Sequence, residues 1–177
     1  MDADQLVIVK QAVLATPELT AVGRNDTELA RLLNLPTAFI VWRHNVPTDE
    51  LLSCIKLAFY TPEDAATGTL LFQNRAAVCE LKQNSLRLLL QRTSLTTQRL
   101  STRQDLSDAL TKIPAGANGA ELDAGWLGAE KVKATISRPV SAVERMFSSG
   151  TGTTGNPGDA TWLGLITIDD IGRMWRG

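Results

Sequence analysis

Residues with the means to do chemistry are few in this chain, and they are scattered. His44 is the single histidine of the 177 residues and stands shortly before Asp49 and Glu50. An imidazole beside carboxylates is the raw material of general acid–base catalysis. One histidine at a helix start more commonly makes a structural hydrogen bond, and it leaves nothing from which to build a His-based metal cluster. Cys54 and Cys79 are the only cysteines. Each lies inside an amphipathic segment, a pattern of buried free thiols rather than of a disulfide framework, and no second histidine exists to activate Cys79 as a nucleophile. No GxSxG elbow supports Ser-His-Asp chemistry. Gly150-Thr151-Gly152-Thr153-Thr154-Gly155 is literally a GxGxxG string, but a helical pattern precedes it and Asn156-Pro157-Gly158 follows, where a dinucleotide site needs a strand before and a helix after. Asn25-Asp26-Thr27 fits the glycosylation pattern and reads as a helix cap. The residues therefore assign no catalytic group, no cofactor and no metal.

The elements that would carry such residues are mainly helical. Asp2 or Asp4 caps an opening helix with the apolar set Leu6, Val7, Val9, Val13 and Leu14; Thr16-Pro17 starts a short second helix ending near Gly23, and Asp26 or Thr27 caps a third that Pro36 stops. From Thr37 to Val46 β-branched and aromatic residues concentrate, which predicts one short strand or extended connector. Pro47-Thr48-Asp49-Glu50 starts another helix bearing Leu51, Leu52, Ile55, Leu57 and Ala58, and Tyr60-Thr61-Pro62 another.

Gly68 to Arg92 then predicts the longest helix, free of proline and rich in good helix formers. Leu71, Asn74, Val78, Leu81, Ser85 and Leu88 follow a 3-4 spacing, and Leu70, Ala77, Leu86, Leu89 and Leu90 widen the apolar surface, so this helix is expected to be the buried spine of a bundle. A helix capped by Ser101 or Thr102 carries Leu106, Ala109, Leu110 and Ile113 to Pro114. Residues 115–120 form an exposed connection with two glycines, and from Leu122 or Asp123 to Phe147 the pattern is helical again, with a kink or break near Arg138 imposed by Pro139. Ser148 to Ala160 is Gly/Thr-rich and reads as a mobile loop. The apolar tail beyond it, Trp162, Leu163, Leu165, Ile166, Ile168, Met174 and Trp175, is expected to include a short strand and to pack on the protein's own core or on a partner, for which these residues would be the interface. Residues 1–147 thus read as a helical bundle domain with one long central helix and a few short strands, and 148–177 as a flexible C-terminal arm.

A formal net charge of −1 leaves no basic domain of the kind a constitutive nucleic-acid binder shows. Lys82, Arg87, Arg92, Arg99 and Arg103 do crowd together at the end of the long helix, where they can face phosphates, a neighbouring subunit or simply the helix's carbonyl end. No apolar run is long enough to cross a bilayer, and the acidic start does not resemble a signal peptide, so a soluble protein of a reducing compartment, away from membranes, is expected.

The order of phrases, AFIVWRHNVPTDELLSCI, LLFQNRAAVCELKQNSLRLLL, IPAGANGA and SAVERMFSSGTGTTGNPGD with a short apolar tail, resembles a family of tailed-bacteriophage virion proteins of the head and neck, most of all head-to-tail connector (adaptor) proteins. The likeness runs from about Asp26 onward and is carried best by Val41 to Pro47, Asn74-Arg75 and the SGTGT loop. It implies a non-enzymatic structural protein, assembled in the host cytoplasm into the virion neck. There it would form a dodecameric homo-oligomer ring beneath the portal protein, bind a tail-side neck or terminator protein, and lengthen the channel through which DNA is ejected. The same residues also fit a tail terminator or head-completion protein, or a small helical DNA-binding regulator in which residues 26–35 and 47–57 act as paired helices.

Overall fold

The computed structural model describes residues 1–55, 60, 69–114 and 129–176. The protein is mainly α. In chain order its elements are α1 (Ala3–Ala15), α2 (Pro17–Thr20), α3 (Asp26–Leu33), β1 (Pro36–Trp42), β2 (Val46–Pro47), α4 (Thr48–Leu52), α5 (Leu70–Leu89), β3 (Ser94–Leu95), α6 (Leu100–Leu110), α7 (Ala129–Ile136), β4 (Ser137–Ser141), α8 (Ala142–Met146), β5 (Ser148–Ser149), β6 (Asp159–Ala160) and α9 (Ile168–Arg176). They form two compact units, one of Met1–Val41 with Pro139–Gly177 and one of Trp42–Arg138. β1 pairs with β4, β2 with β3 and β5 with β6.

The first unit joins the two ends of the sequence. Asp2 caps α1 in a complete capping box: its carboxylate accepts from Gln5 N at 2.8 Å, while Asp2 N donates to Gln5 Oε1 at 3.0 Å. Of the expected apolar set, Leu6, Val9 and Val13 turn inward and Val7 and Leu14 stay in water. α3 is capped one residue earlier than expected, by Asn25, whose Oδ1 accepts from Glu28 N at 3.1 Å. Against the inner faces of α1 and α3 lie Val143 from α8, Ile166, and Ile171 and Met174 from α9, all buried in one core.

Two features of the C-terminal part of the chain differ from what the sequence predicts. The helix expected across Pro139 is interrupted for five residues: α7 ends at Ile136, Ser137–Ser141 run extended as β4, and a second capping box, Ser141 with Glu144, restarts the helix. The stretch 148–177 is not a flexible arm. Ser148–Ser149 pair antiparallel with Asp159–Ala160, and the loop between them is tied to β1 where Ile40 N donates to Gly152 O and Gly158 N to Ile40 O, both at 2.8 Å. Beyond the loop, the Asn34 amide grips the backbone of Ile166 by two bonds of 2.8 and 3.0 Å, and the residues after it pack onto α1 and α3. Apolar side chains close to a hydrophobic core gain more by burial than the chain gains in freedom, even after a Gly-rich loop. The division by packing accordingly falls at Val41 and at Pro139, not at residue 147. Residues 162–167 hold no strand.

α9 is fixed by Thr167 and Asp170, a capping pair with Asp in the usual Glu position: Thr167 N donates to Asp170 Oδ2 at 3.1 Å, and Asp170 N to Thr167 Oγ1 at 3.1 Å. The amino group of Met1 sits 3.1 Å from Asp170 Oδ1, with both side chains nearly buried. Burial by itself pushes the Asp170 carboxyl up. The hydroxyl and N–H of Thr167 and the amino terminus outweigh it and hold the group below the ordinary carboxylate value. A carboxyl lowered in the folded state stabilises it above the unfolded value, and that contribution disappears as pH falls through the folded one. The acid-side loss of melting temperature of this unit, followed between about pH 2 and 7, is therefore expected to flatten in Asp170→Asn.

In the second unit, α5 is the longest helix among the described residues, capped by Thr69, whose hydroxyl accepts from Phe72 N at 3.1 Å. It packs on α6 through one narrow face. Cys79 and Leu86 are its buried side chains, set in a core with Val46, Leu51, Leu95, Leu106, Leu110, Val132 and Ile136. The expectation of a central spine apolar on several buried sides is not met. α6 starts at Leu100, after Arg99, without a side-chain cap from Ser101 or Thr102. The helix start at Pro62, the side chains of Leu57, Ala58, Leu122, Trp126 and Leu127, and the connection 115–120 lie outside the described residues.

Thr97 is the polar keystone here. It is fully buried, and its hydroxyl lies 2.8 Å from Arg43 O and 2.9 Å from Ile136 O, linking the end of β1 to the end of α7. Thr97→Val keeps the shape and removes the hydroxyl, while Arg43 O still accepts from Thr97 N and Ile136 O from Arg43 N, for an expected loss of about 0.5–1.5 kcal/mol in chemical denaturation. A loss under about 0.3 kcal/mol contradicts this account.

Candidate interaction surfaces

The residues first singled out for chemistry are built into local structure. His44 Nδ1 meets Gln98 Oε1 at 3.2 Å, and Glu50 is held by Arg43 at 2.6 Å. Both cysteines are free thiols: Cys54 Sγ lies 3.1 Å from Thr135 Oγ1, and Cys79 is buried between α5 and α6. The hydroxyl of Tyr60, bonded to Ala109 O at 3.1 Å, is pushed up to about 12, first by burial and then by the neighbouring Cys79. The GxGxxG loop lies on Phe39 and closes on itself through Thr153 and Asn156; the next helix begins only at Ile168. No group of three or more His, Cys, Asp or Glu suited to a metal ion occurs among the described residues.

The basic cluster is dispersed by the fold. Arg103 lies over the Trp42 ring, its guanidinium carbon 4.6 Å from the centroid, and donates to Thr97 O at 2.9 Å and Gln98 O at 2.7 Å, so it staples the β3–α6 turn. Lys82 reaches the carbonyl of Asp108. Arg92 lines a cleft of about 400 Å³ together with Asp105 and Asp108, which offset its charge. Arg87 borders a separate groove of about 430 Å³ with Leu52, Leu86 and Leu90, and Arg99 precedes α6 in water. Sequence proximity hid Asp108, because it comes from the facing helix.

The apolar tail is likewise divided. Ile166 and Met174 are core, Trp162 and Trp175 are half-buried against that core, and Leu163 packs beside Val41 and Val140. Leu165 and Ile168 alone of the seven are exposed.

What the two units leave in water is aliphatic surface. On the first, α1 and α9 enclose a groove of about 670 Å³ whose walls are Leu6, Val7, Leu14 and Met174, with Lys10 and Arg173 at its rim. On the second, the outer side of α5 exposes Leu70, Leu71, Val78, Leu81 and Leu88. Periodicity marked these α5 residues correctly as a stripe and said nothing of which side of the helix the core would take. No helix among the described residues is long and apolar enough to cross a membrane. Compared with known proteins, the sequence matches no family model, no curated protein and no solved structure.

Proposed function

We propose that this chain is a structural protein of the tailed-phage virion, a non-enzymatic connector that forms a homo-oligomeric ring in the neck, joins the portal to the tail and extends the DNA channel. The observation that carries the reading is the aliphatic groove between α1 and α9 on an otherwise well-packed unit. Contiguous apolar surface on a folded protein marks contact with other proteins. The likeness of residues 41–47, 74–75 and 149–153 to connector proteins supplies the identity of those contacts. The groove replaces a free C-terminal arm as the portal-facing element in this proposal, since Ile166 and Met174 are needed inside.

The test mixes the purified chain with purified portal and reads native mass. A ring, and a portal complex weakened by Val7→Glu with Leu14→Glu while thermal stability stays unchanged, are the expected results. Unaltered portal binding by that variant rules out the groove, and a monomer with no affinity for portal rules out the connector reading. Tight binding to duplex DNA at about 150 mM salt transfers the proposal to a helical regulator.

A further inference from the structure

The outer side of α5 is built to a rule. Leu71, Asn74, Val78, Leu81, Ser85 and Leu88 repeat at alternating steps of three and four, which keeps them on one side of a helix and matches the seam of a two-stranded coiled coil. That seam points away from the helix's own core, which takes Cys79 and Leu86. Its apolar members are 53% (Leu71), 38% (Val78), 67% (Leu81) and 65% (Leu88) exposed.

We infer that a second copy of this chain covers this face, α5 lying antiparallel on α5 about a two-fold axis between Val78 and Leu81. In that register Leu71 faces the partner's Leu88, Val78 faces the partner's Leu81, and Asn74 faces the partner's Ser85. Apolar meets apolar and the two polar positions meet each other. A slip of one heptad sets Ser85 against Leu81 in one direction and Asn74 against Val78 in the other, leaving a polar group buried without a partner. The chemistry of the polar pair fixes direction as well. Ser85 already donates its proton to Leu81 O at 3.0 Å, so its oxygen is left to accept, and an Asn74 amide supplies the donor. A parallel pair would oppose two Ser85 hydroxyls whose protons are both committed, and it would align rather than oppose the helix dipoles. Lys82, at the edge of the seam, is turned onto the Asp108 carbonyl and does not meet its counterpart.

From Leu71 to Leu88 the seam is about 27 Å long, so with a helix width of about 10 Å the contact buries roughly 600 Å² in total. Stable interfaces bury about 1,200–2,000 Å². The pair is therefore a weak, concentration-dependent one. An isologous contact closes at two copies, whereas a ring needs a heterologous contact, so this inference stands apart from the connector reading and fails separately from it.

Cysteine cross-linking tests the register. In a background with Cys54→Ser and Cys79→Ala, Asn74→Cys and Ser85→Cys proteins are oxidised alone and mixed. The expected result is covalent dimer in the mixture at about ten times the yield of either protein alone, because only the mixed pair meets across the axis within disulfide reach. Self-linking of either single variant at equal yield shows a parallel pair and overturns the proposal. In sedimentation equilibrium of the otherwise unaltered chain, Leu81→Glu is expected to weaken dimerisation at least tenfold with unchanged helicity by circular dichroism, since Leu81 is exposed in the monomer. A chain that stays monomeric at about 1 mM, or an unweakened Leu81→Glu dimer, also overturns it. A ring that forms without the 74–85 link retains the connector reading and removes this one alone.

Discussion

A chain that stops at Ala160 loses the fold of the unit that joins its two ends. Deleting 161–177 removes Ile166, Ile171 and Met174, each no more than 2% exposed and each in contact with the core that α1 and α3 also line. Truncation of one such side chain to alanine costs about 2–5 kcal/mol, and the loss of three together reaches about 6–15 kcal/mol. Typical domains have about 5–15 kcal/mol to lose. The same deletion strips the Asn34 amide of both its bonds to Ile166 and removes Asp170 from beside the amino group of Met1. Hydrogen exchange checks the result: amides of α1 and α3 should lose protection, while those of α6 in the second unit keep theirs. A truncated protein in which α1 stays protected means that the C-terminal helix is dispensable to this core. Ile171→Ala alone, with an expected loss of about 2–5 kcal/mol, separates a packing effect from a gross consequence of truncation.

The second large effect lies in the Gly-rich loop, where three glycines that look alike in the sequence should behave very differently. At Gly158 a Cβ would collide with the backbone oxygen of Ser149 and come within 2.8 Å of the Phe39 ring. Backbone at a paired strand cannot step aside cheaply, so Gly158→Ala is expected to cost at least the 1–3 kcal/mol or so of an overpacked core site. Gly152 combines a φ of +64° with a Cβ position overlapping Phe39, and that ring is covered on its face by the Arg145 guanidinium at 3.9 Å. Gly152→Ala then bears about 1–2 kcal/mol for the left-handed backbone in addition to the collision. Gly155, with nothing within 4 Å of its Cβ position, is the internal control, and Gly155→Ala is expected within about ±0.5 kcal/mol of the parent. Equal, small effects at all three positions in thermal melts would show that the loop does not bear on Phe39.

These two results mark the boundary between what the residues declare and what the fold decides. Capping chemistry was legible at Asp2, which caps α1 through atoms within a few residues, because the requirement that first-turn N–H groups find acceptors is local. Thr69 and Ser141 cap by the same chemistry without having stood out in the sequence, Asn25 replaces Asp26 or Thr27 at α3, and α6 takes no cap from Ser101 or Thr102. The strand at 36–42 and the break at Pro139 were legible for the same reason, since β-branched crowding and a missing N–H act on their own segment. The stripes of α1, α6 and α9 were legible as stripes.

Which stripe the core would take was not. α5 carries two apolar sides, the Cys79 and Leu86 side and the Leu71 to Leu88 side, and periodicity ranks them equally; only the position of α6 put one inside and left the other in water. A Gly/Thr-rich stretch announces freedom of φ and nothing about what that freedom is for. Here it lets the backbone at Gly152 and Gly158 approach Phe39, a residue far away in sequence. Arg103 and Lys82 read as free cations because Trp42, Thr97 and Asp108 reach them from elsewhere in the chain. The sequence by itself determined that this is a mainly helical chain of almost neutral charge, with its helix starts and its breaks. Tertiary structure alone decided that the last thirty residues belong to the core of the first forty, and that the most regular apolar stripe, on α5, faces outward. Local interactions act through a few residues of backbone, and burial is settled only when distant segments compete for the same space.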